Sequence, residues 1–340
     1  MTSPAPRAIG IWWFAFGYFA CYVPYSALTK AVSSGMPASL AAPVDGFRLL
    51  PLSALVSMIG MLVFLSAMRW WKYAHHVTIA GRRLPCPRRW TLLSGLCTTT
   101  IIGTTTLAYT FSGVSIVFMM LLMRGGVLVI APIVDAATGR RVRWFSWVAL
   151  GLSLGALVVA FAERGGYAMT VVAAVDVIAY LASYFVRLRF MSKLAKSHDT
   201  RQRTAYFVEE QMVASPALVA LLVLCAAVGQ GELMMNIRAG FTELWAGGVY
   251  GYVLLIGLFS QGTGIFGGLI LLDHREHTYC VPVNRSSSIL AGVLASLSLF
   301  WLFPDARPPS LFQLAGAAMI LAAILFLTVP VLVEKRATRP

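Results

Sequence analysis

The feature that most limits what this chain can fold into is its alternation of long uncharged apolar stretches with short connections rich in arginine. About 20 apolar residues wound as a helix cover the roughly 30 Å hydrocarbon core of a bilayer, and a helix satisfies its own backbone N–H and C=O groups where no water can. Ten stretches meet that description, at residues 9–30, 44–68, 90–110, 113–135, 144–162, 167–190, 205–228, 244–272, 277–303 and 309–333. Composition agrees: of 340 residues 59% are hydrophobic and 12% charged, too little charge to cover a soluble globule of this size. The expected fold is an all-α polytopic membrane protein with ten transmembrane helices. The first stretch is long and aromatic, so it reads as a retained span and not as a cleaved signal.

A net charge of +14, from 27 basic and 13 acidic residues, raises the question of nucleic acid. The basic residues sit between the apolar stretches and form no basic face with interleaved aromatics, so nucleic acid is not an expected partner. With a cytoplasmic N-terminus, 20 of the 27 fall on inner connections, four (Lys30, Arg164, Arg238, Arg307) on outer ones, and three (Arg48, Arg124, Arg285) within spans. That asymmetry places both termini in the cytoplasm. The inner basic loops set topology first and touch anionic lipid second. Compact loops and the preference for arginine over lysine point to a bacterial cytoplasmic membrane.

Ten spans divide into two halves, 1–165 and 166–340, each with five. Because five is odd, a duplicated half inserts upside down, which is the inverted-repeat plan of many transporters. Arg124 and Arg285 stand 161 residues apart, as do Gly155 and Gly316, and Ala54-Leu55-Val56 returns as Ala217-Leu218-Val219 at an offset of 163.

Arg124 and Arg285 fall near the middle of the fourth and ninth spans. Arginine keeps its charge, so each must meet an aqueous cavity or a partner. The neighbouring Gly125-Gly126 and Ser286-Ser287-Ser288 leave room beside each guanidinium. Two such forks suit a bidentate anion: phosphate, pyrophosphate or carboxylate. The competing reading neutralises them internally with Asp176, Glu209 or Glu210. Arg48, near the outer end of the second span, is either a substrate contact or a side chain reaching the interface. Glu209 and Glu210 can serve proton coupling or form an inner-gate ion pair. Asp176 is either a counter-ion or a contact for a substrate amine. Thr98 to Thr100 and Thr104 to Thr106, followed by Tyr109, make a wall of hydroxyls in the third span, with Thr105 and Tyr109 as candidate contacts; plain packing with the hydroxyls turned back on the helix is the alternative. Gln261 lies among Gly257, Gly262, Gly264, Gly267 and Gly268 in the eighth span, a run for close packing or for bending during gating. Gly151 and Gly155 mark a helix contact within the chain or in a homodimer.

No enzyme signature is present. The five histidines lie in or beside connections, with no HExxH, no phosphate loop and no ligand cluster, so no metal or cofactor is expected. Of five cysteines, four lie in apolar stretches as small hydrophobes. Asn284-Arg285-Ser286 matches a glycosylation sequon inside a span, where it has no meaning.

Over nearly the whole chain this plan resembles the drug/metabolite transporter superfamily, and within it the nucleotide-sugar and organophosphate translocators. Leu107-Ala-Tyr-Thr-Phe-Ser-Gly-Val-Ser-Ile116 is similar to that family's junction between spans three and four, and it leads into Met123-Arg124, where those translocators often carry a basic residue. Asn284-Arg285 resembles the Asn-Lys or Lys-Arg pairs that hold substrate phosphates in their span nine, although the full Gly-Ala-Leu-Asn-Lys motif is absent. The resemblance implies alternating access around a central cavity and exchange of one anionic metabolite for another. The expectation is a secondary transporter for a small organic anion. Its competitors are a proton-coupled exporter of amino acids or drugs that uses the acidic residues, and a non-transporting membrane scaffold with a packed interior.

Overall fold

Apolar runs of this length wind into helices, and the computed structural model shows where each begins and ends. It describes residues 11–40, 42–79, 81–111, 114–130, 144–161, 171–194, 199–244, 248–273, 277–304 and 306–337. Among them are eleven helices: α1 (Ile11–Ser33), α2 (Gly46–Ala67), α3 (Arg89–Ala108), α4 (Ile116–Ile130), α5 (Trp144–Phe161), α6 (Val171–Leu194), α7 (Thr200–Val228), α8 (Gly231–Thr242), α9 (Tyr250–Leu271), α10 (His277–Leu302) and α11 (Leu311–Ala337). Six helices, in α2, α3, α6, α7, α9 and α10, carry segments long and apolar enough to cross a membrane, and α4 and α11 contain shorter apolar runs. Leu221 and Leu224 of α7, Val175 and Ile178 of α6, and Leu255 and Leu258 of α9 are exposed, while Arg124, Arg285, Glu209 and Glu210 are buried. Apolar outside and charged inside suits a lipid solvent. The chain is an integral, multi-pass membrane protein.

Two elements depart from the sequence expectation. The 228–244 connection, expected as an outer loop, contains α8. It is short and amphipathic, with Ile237 and Gly240 turned inward, so it lacks the long apolar run by which spans were recognised. Its Arg238 donates to the carbonyls of Ala226 (2.7 Å) and Ala227 (2.9 Å), supplying partners for acceptors that the end of α7 leaves open. The connection between α2 and α3 folds into an antiparallel hairpin, β1 (His76–Ile79) and β2 (Arg82–Pro85), with His76 opposite Pro85 and Ile79 opposite Arg82. Of the expected tight turn at 111–113, Ser112 and Gly113 lie outside the described residues. The two flanks are tied together by Lys30 at the end of α1, whose ammonium donates to the carbonyls of Phe111 and Val114, both at 2.9 Å. Arg140, Arg141 and Arg143, expected on an inner connection, and Arg164, expected on an outer one, are also not among the described residues.

Caps fix several starts. Asp45 accepts from the Phe47 N–H at α2, Asp199 from the Arg201 N–H at α7, and Ser115 from the Phe118 N–H at α4. The glycine-rich α9 packs closely. A Cβ on Gly257 would come 2.7 Å from the Ser53 carbonyl oxygen in α2, and one on Gly267 would come 2.8 Å from the Tyr18 ring in α1. α5 and α11 pack against each other at the side: a Cβ on Gly155 would lie 2.7 Å from Met319, and one on Gly316 would lie 3.3 Å from the Ala156 carbonyl oxygen. Gly155 therefore serves a contact within the chain, whereas Gly151 faces open space.

Candidate functional site

The periodicity that buries a helix face explains the site's walls. Tyr18, Tyr22 and Tyr25 lie at positions i, i+4 and i+7 of α1, and Tyr180, Tyr184 and Arg187 have the same spacing in α6. All six are buried. Between the two stripes, α4 changes its winding: Leu121–Gly125 forms a π-helical turn that carries Arg124. Such turns often occur at functional sites.

Arg124 and Arg285, the two arginines singled out in the sequence, are brought to one place. Arg124 donates one terminal nitrogen to the Tyr180 hydroxyl and the other to the Tyr22 hydroxyl, and its guanidinium lies over both rings at 5.2 and 5.4 Å. Arg285 donates to the same Tyr180 hydroxyl at 3.3 Å and lies over Tyr184 at 4.4 Å. Arg285 is 0% exposed, and its Nε and one Nη have no hydrogen-bond partner among the described residues. The two cations thus share one phenol oxygen and are surrounded by aromatic faces, which attract cations without cancelling their charge.

The two glutamates are engaged elsewhere. Glu210 accepts from Nε and Nη2 of Arg187, both at 2.8 Å, and from Ser94 (2.7 Å), Thr98 (3.1 Å) and Tyr206 (3.4 Å). Glu209 accepts from the backbone N–H groups of His75 (3.0 Å) and Arg88 (3.2 Å) and from the Thr91 hydroxyl (2.7 Å), so it fastens both ends of the β-hairpin connection to α7. Asp176 is buried in α6 and its Oδ2 has no hydrogen-bond partner among the described residues. None of the three forms a described ion pair with Arg124 or Arg285.

A central cavity of about 80 Å³ lies among α1, α2, α3, α4, α6, α7, α9 and α10. Arg124, Thr105, Gln261 and Asn284 line it, as do Arg187 and Tyr184. Arg285 stands behind this wall, over the ring of Tyr184. Such a space admits a few waters and falls short of the roughly 300–1,000 Å³ that metabolite sites occupy, so a metabolite would need its walls to move apart. Tyr109 backs the wall, its hydroxyl 2.7 Å from that of Tyr22 and 3.3 Å from Met120 Sδ. Arg48 is elsewhere: it pairs with Glu243 at the rim, both side chains partly exposed, because α8 brings that carboxylate to it. Of the two readings of Arg48, this partly exposed pair away from the cavity lining fits the side chain that reaches the interface.

Reading the sequence missed Arg187, counted there with the inner basic loop, and missed the tyrosines. A signal was present. Tyr180 and Tyr184 stand 162 residues after Tyr18 and Tyr22, and Arg187 stands 162 after Tyr25. Cavity residues Thr98, Ile101, Ile102 and Thr105 of α3 are matched at the same offset by Ser260, Thr263, Gly264 and Gly267 of α9, which also line the cavity. The α2 and α7 positions break the pattern: Ser57 and Met61 stand 154 before Gln211 and Ser215.

No protein-family model matches this chain, and no curated protein matches it. Among solved structures, one titled "Crystal structure of protein" aligns over 93% of this chain and 96% of its own, at 16% identity and a TM-score of 0.49.

Proposed function

We propose that the chain is a secondary transporter for a small organic anion carrying phosphate or carboxylate, a nucleotide sugar or another organophosphate being the leading class. The observation that carries this reading is the pair Arg124 and Arg285, buried on one shared hydroxyl with no carboxylate paired to them among the described residues. Burying an arginine without an anion costs from a few to more than ten kcal/mol at the membrane centre, and two arginines side by side add mutual repulsion. A visiting anion offsets both terms. Two nitrogens of Arg285 have no partner among the described residues and are donors for such an anion; the Asn284 amide oxygen, likewise without a partner there, would accept from a ligand hydroxyl or a water.

The 162-residue offset shared by the α1/α6 and α3/α9 walls supports two inverted five-helix halves, 1–165 and 166–340, which together make ten spans with cytoplasmic termini. That plan agrees with the drug/metabolite transporter resemblance and with alternating access. If the empty protein interconverts slowly because its paired cations are uncompensated, exchange of one anion for another follows. A proton-coupled amine or drug exporter would need an available carboxylate facing the cavity; Glu209 and Glu210 are held by donors, and Asp176, though buried, is not among the cavity's lining residues. A thermal-shift screen of purified protein tests the reading: phosphates, nucleotides and nucleotide sugars should raise the melting temperature by mass action, and amines should not. Stabilisation by amines alone would refute it.

A further inference from the structure

Different contacts flank the stretch of α3, Thr98 to Thr105, that lines the cavity. Arg187 occupies in α6 the place that Tyr25 occupies in α1, 162 residues earlier. Tyr25 bonds Thr106 at 2.8 Å, whereas Arg187 grips Glu210. Thr106 and Ser94, which also bonds Glu210, stand twelve residues apart on α3, about 18 Å along its axis at 1.5 Å per residue. At the Arg187 end, Tyr206 donates to Glu210 and also lines a second space, a basin of about 540 Å³ whose walls carry four cations, Lys72, Arg88, Lys193 and Arg201, against the two carboxylates Asp199 and Glu209. The Arg187–Glu210 pair therefore stands between a basic basin and the central cavity, which Arg187 itself lines.

A guanidinium fork grips carboxylate and phosphate in the same bidentate way. On α6 the fork also continues a ladder: Arg124 lies over Tyr180, Arg285 over Tyr184 at 4.4 Å, and Arg187 beside the same Tyr184 at 6.0 Å. We propose that Arg187 is a third substrate-binding residue, and that Glu210 is a built-in stand-in for the substrate, displaced from Arg187 by an anion passing between basin and cavity. This rests on the reading of the chain as an organic-anion carrier. The displaced carboxylate keeps hydrogen-bond donors: the hydroxyls of Ser94, Thr98 and Tyr206 remain within reach of it.

The test uses the purified full chain and four variants, titrated with inorganic phosphate and with pyrophosphate by calorimetry. Glu210→Gln removes the competing anion and should tighten binding by about tenfold or more, since a charged hydrogen-bonded pair no longer has to be broken. Glu210→Asp keeps the charge but shortens the reach. It should tighten binding by a smaller factor, and it carries the test if the glutamine variant does not fold. Arg187→Gln combined with Glu210→Gln removes both fork and competitor, and its Kd should return to the wild-type value or rise above it. Wild-type affinity in both single Glu210 variants, with Arg124→Ala still weakening binding, would overturn the inference alone. Unchanged binding in Arg124→Ala, or no binding of either anion by the wild type, would overturn the carrier reading and this inference with it.

Discussion

At the scale of single residues, the phenol of Tyr180 holds the centre of the molecule together. Its oxygen accepts from Arg124 and Arg285, and its ring lies under Arg124. Tyr180→Phe keeps the ring and removes the acceptor, leaving buried charged donors unpaired at a cost of about 1–3 kcal/mol. The variant should melt below wild type when empty and recover part of the difference in saturating phosphate; an unchanged melting temperature would contradict the role given to the hydroxyl. Glu210→Ala should cost more, about 3–5 kcal/mol, because it strands Arg187 inside the protein. The sequence showed Arg124 and Arg285, because a charge in the middle of an apolar run has few explanations. It concealed Arg187, which lies near the end of α6 beside Arg189 and Lys193 and so reads as part of a solvated loop. Burial of that residue depends on Glu210 in α7, a partner 23 positions away that no local pattern announces.

At the scale of elements, glycine separates helix pairs that touch through backbone from those that do not. In α9, a Cβ on Gly257 meets the Ser53 carbonyl oxygen at 2.7 Å, and backbone there has no room to yield. Gly257→Ala should therefore destabilise by about 1–3 kcal/mol through overpacking. In α5, a Cβ on Gly151 meets nothing within 4 Å, so Gly151→Ala should be neutral or stabilise by up to about 1 kcal/mol through helix propensity. Thermal melts of the two variants check both signs, and equal effects would contradict the packing. Helix positions were legible because apolar length is a strong signal. The amphipathic α8 and the β-hairpin were not, since each is short and owes its place to contacts: Gly240 of α8 against Arg48 and Pro51, and the hairpin's flanks against Glu209.

At the scale of the whole molecule, the account assigns the basin and the β-hairpin to the cytoplasmic side and the Arg307 region to the opposite side. Single cysteines at Arg83 and at Arg307, in a chain freed of its five native cysteines, should react with a membrane-impermeant thiol reagent from opposite faces; labelling of both from one face would contradict the topology. The charge asymmetry of the loops is what predicts this orientation. The shared cavity was not readable from it, because it depends on two tyrosine stripes whose 162-residue offset gains meaning only once both line one space. The central claim is that two permanent cations wait for an anion. Its most direct measurement is counterflow of radiolabelled phosphate in proteoliposomes loaded with a phosphate ester, for wild type, Arg124→Ala and Arg285→Ala. The account predicts exchange by the wild type and its loss in both variants; undiminished exchange in the two arginine variants would contradict it.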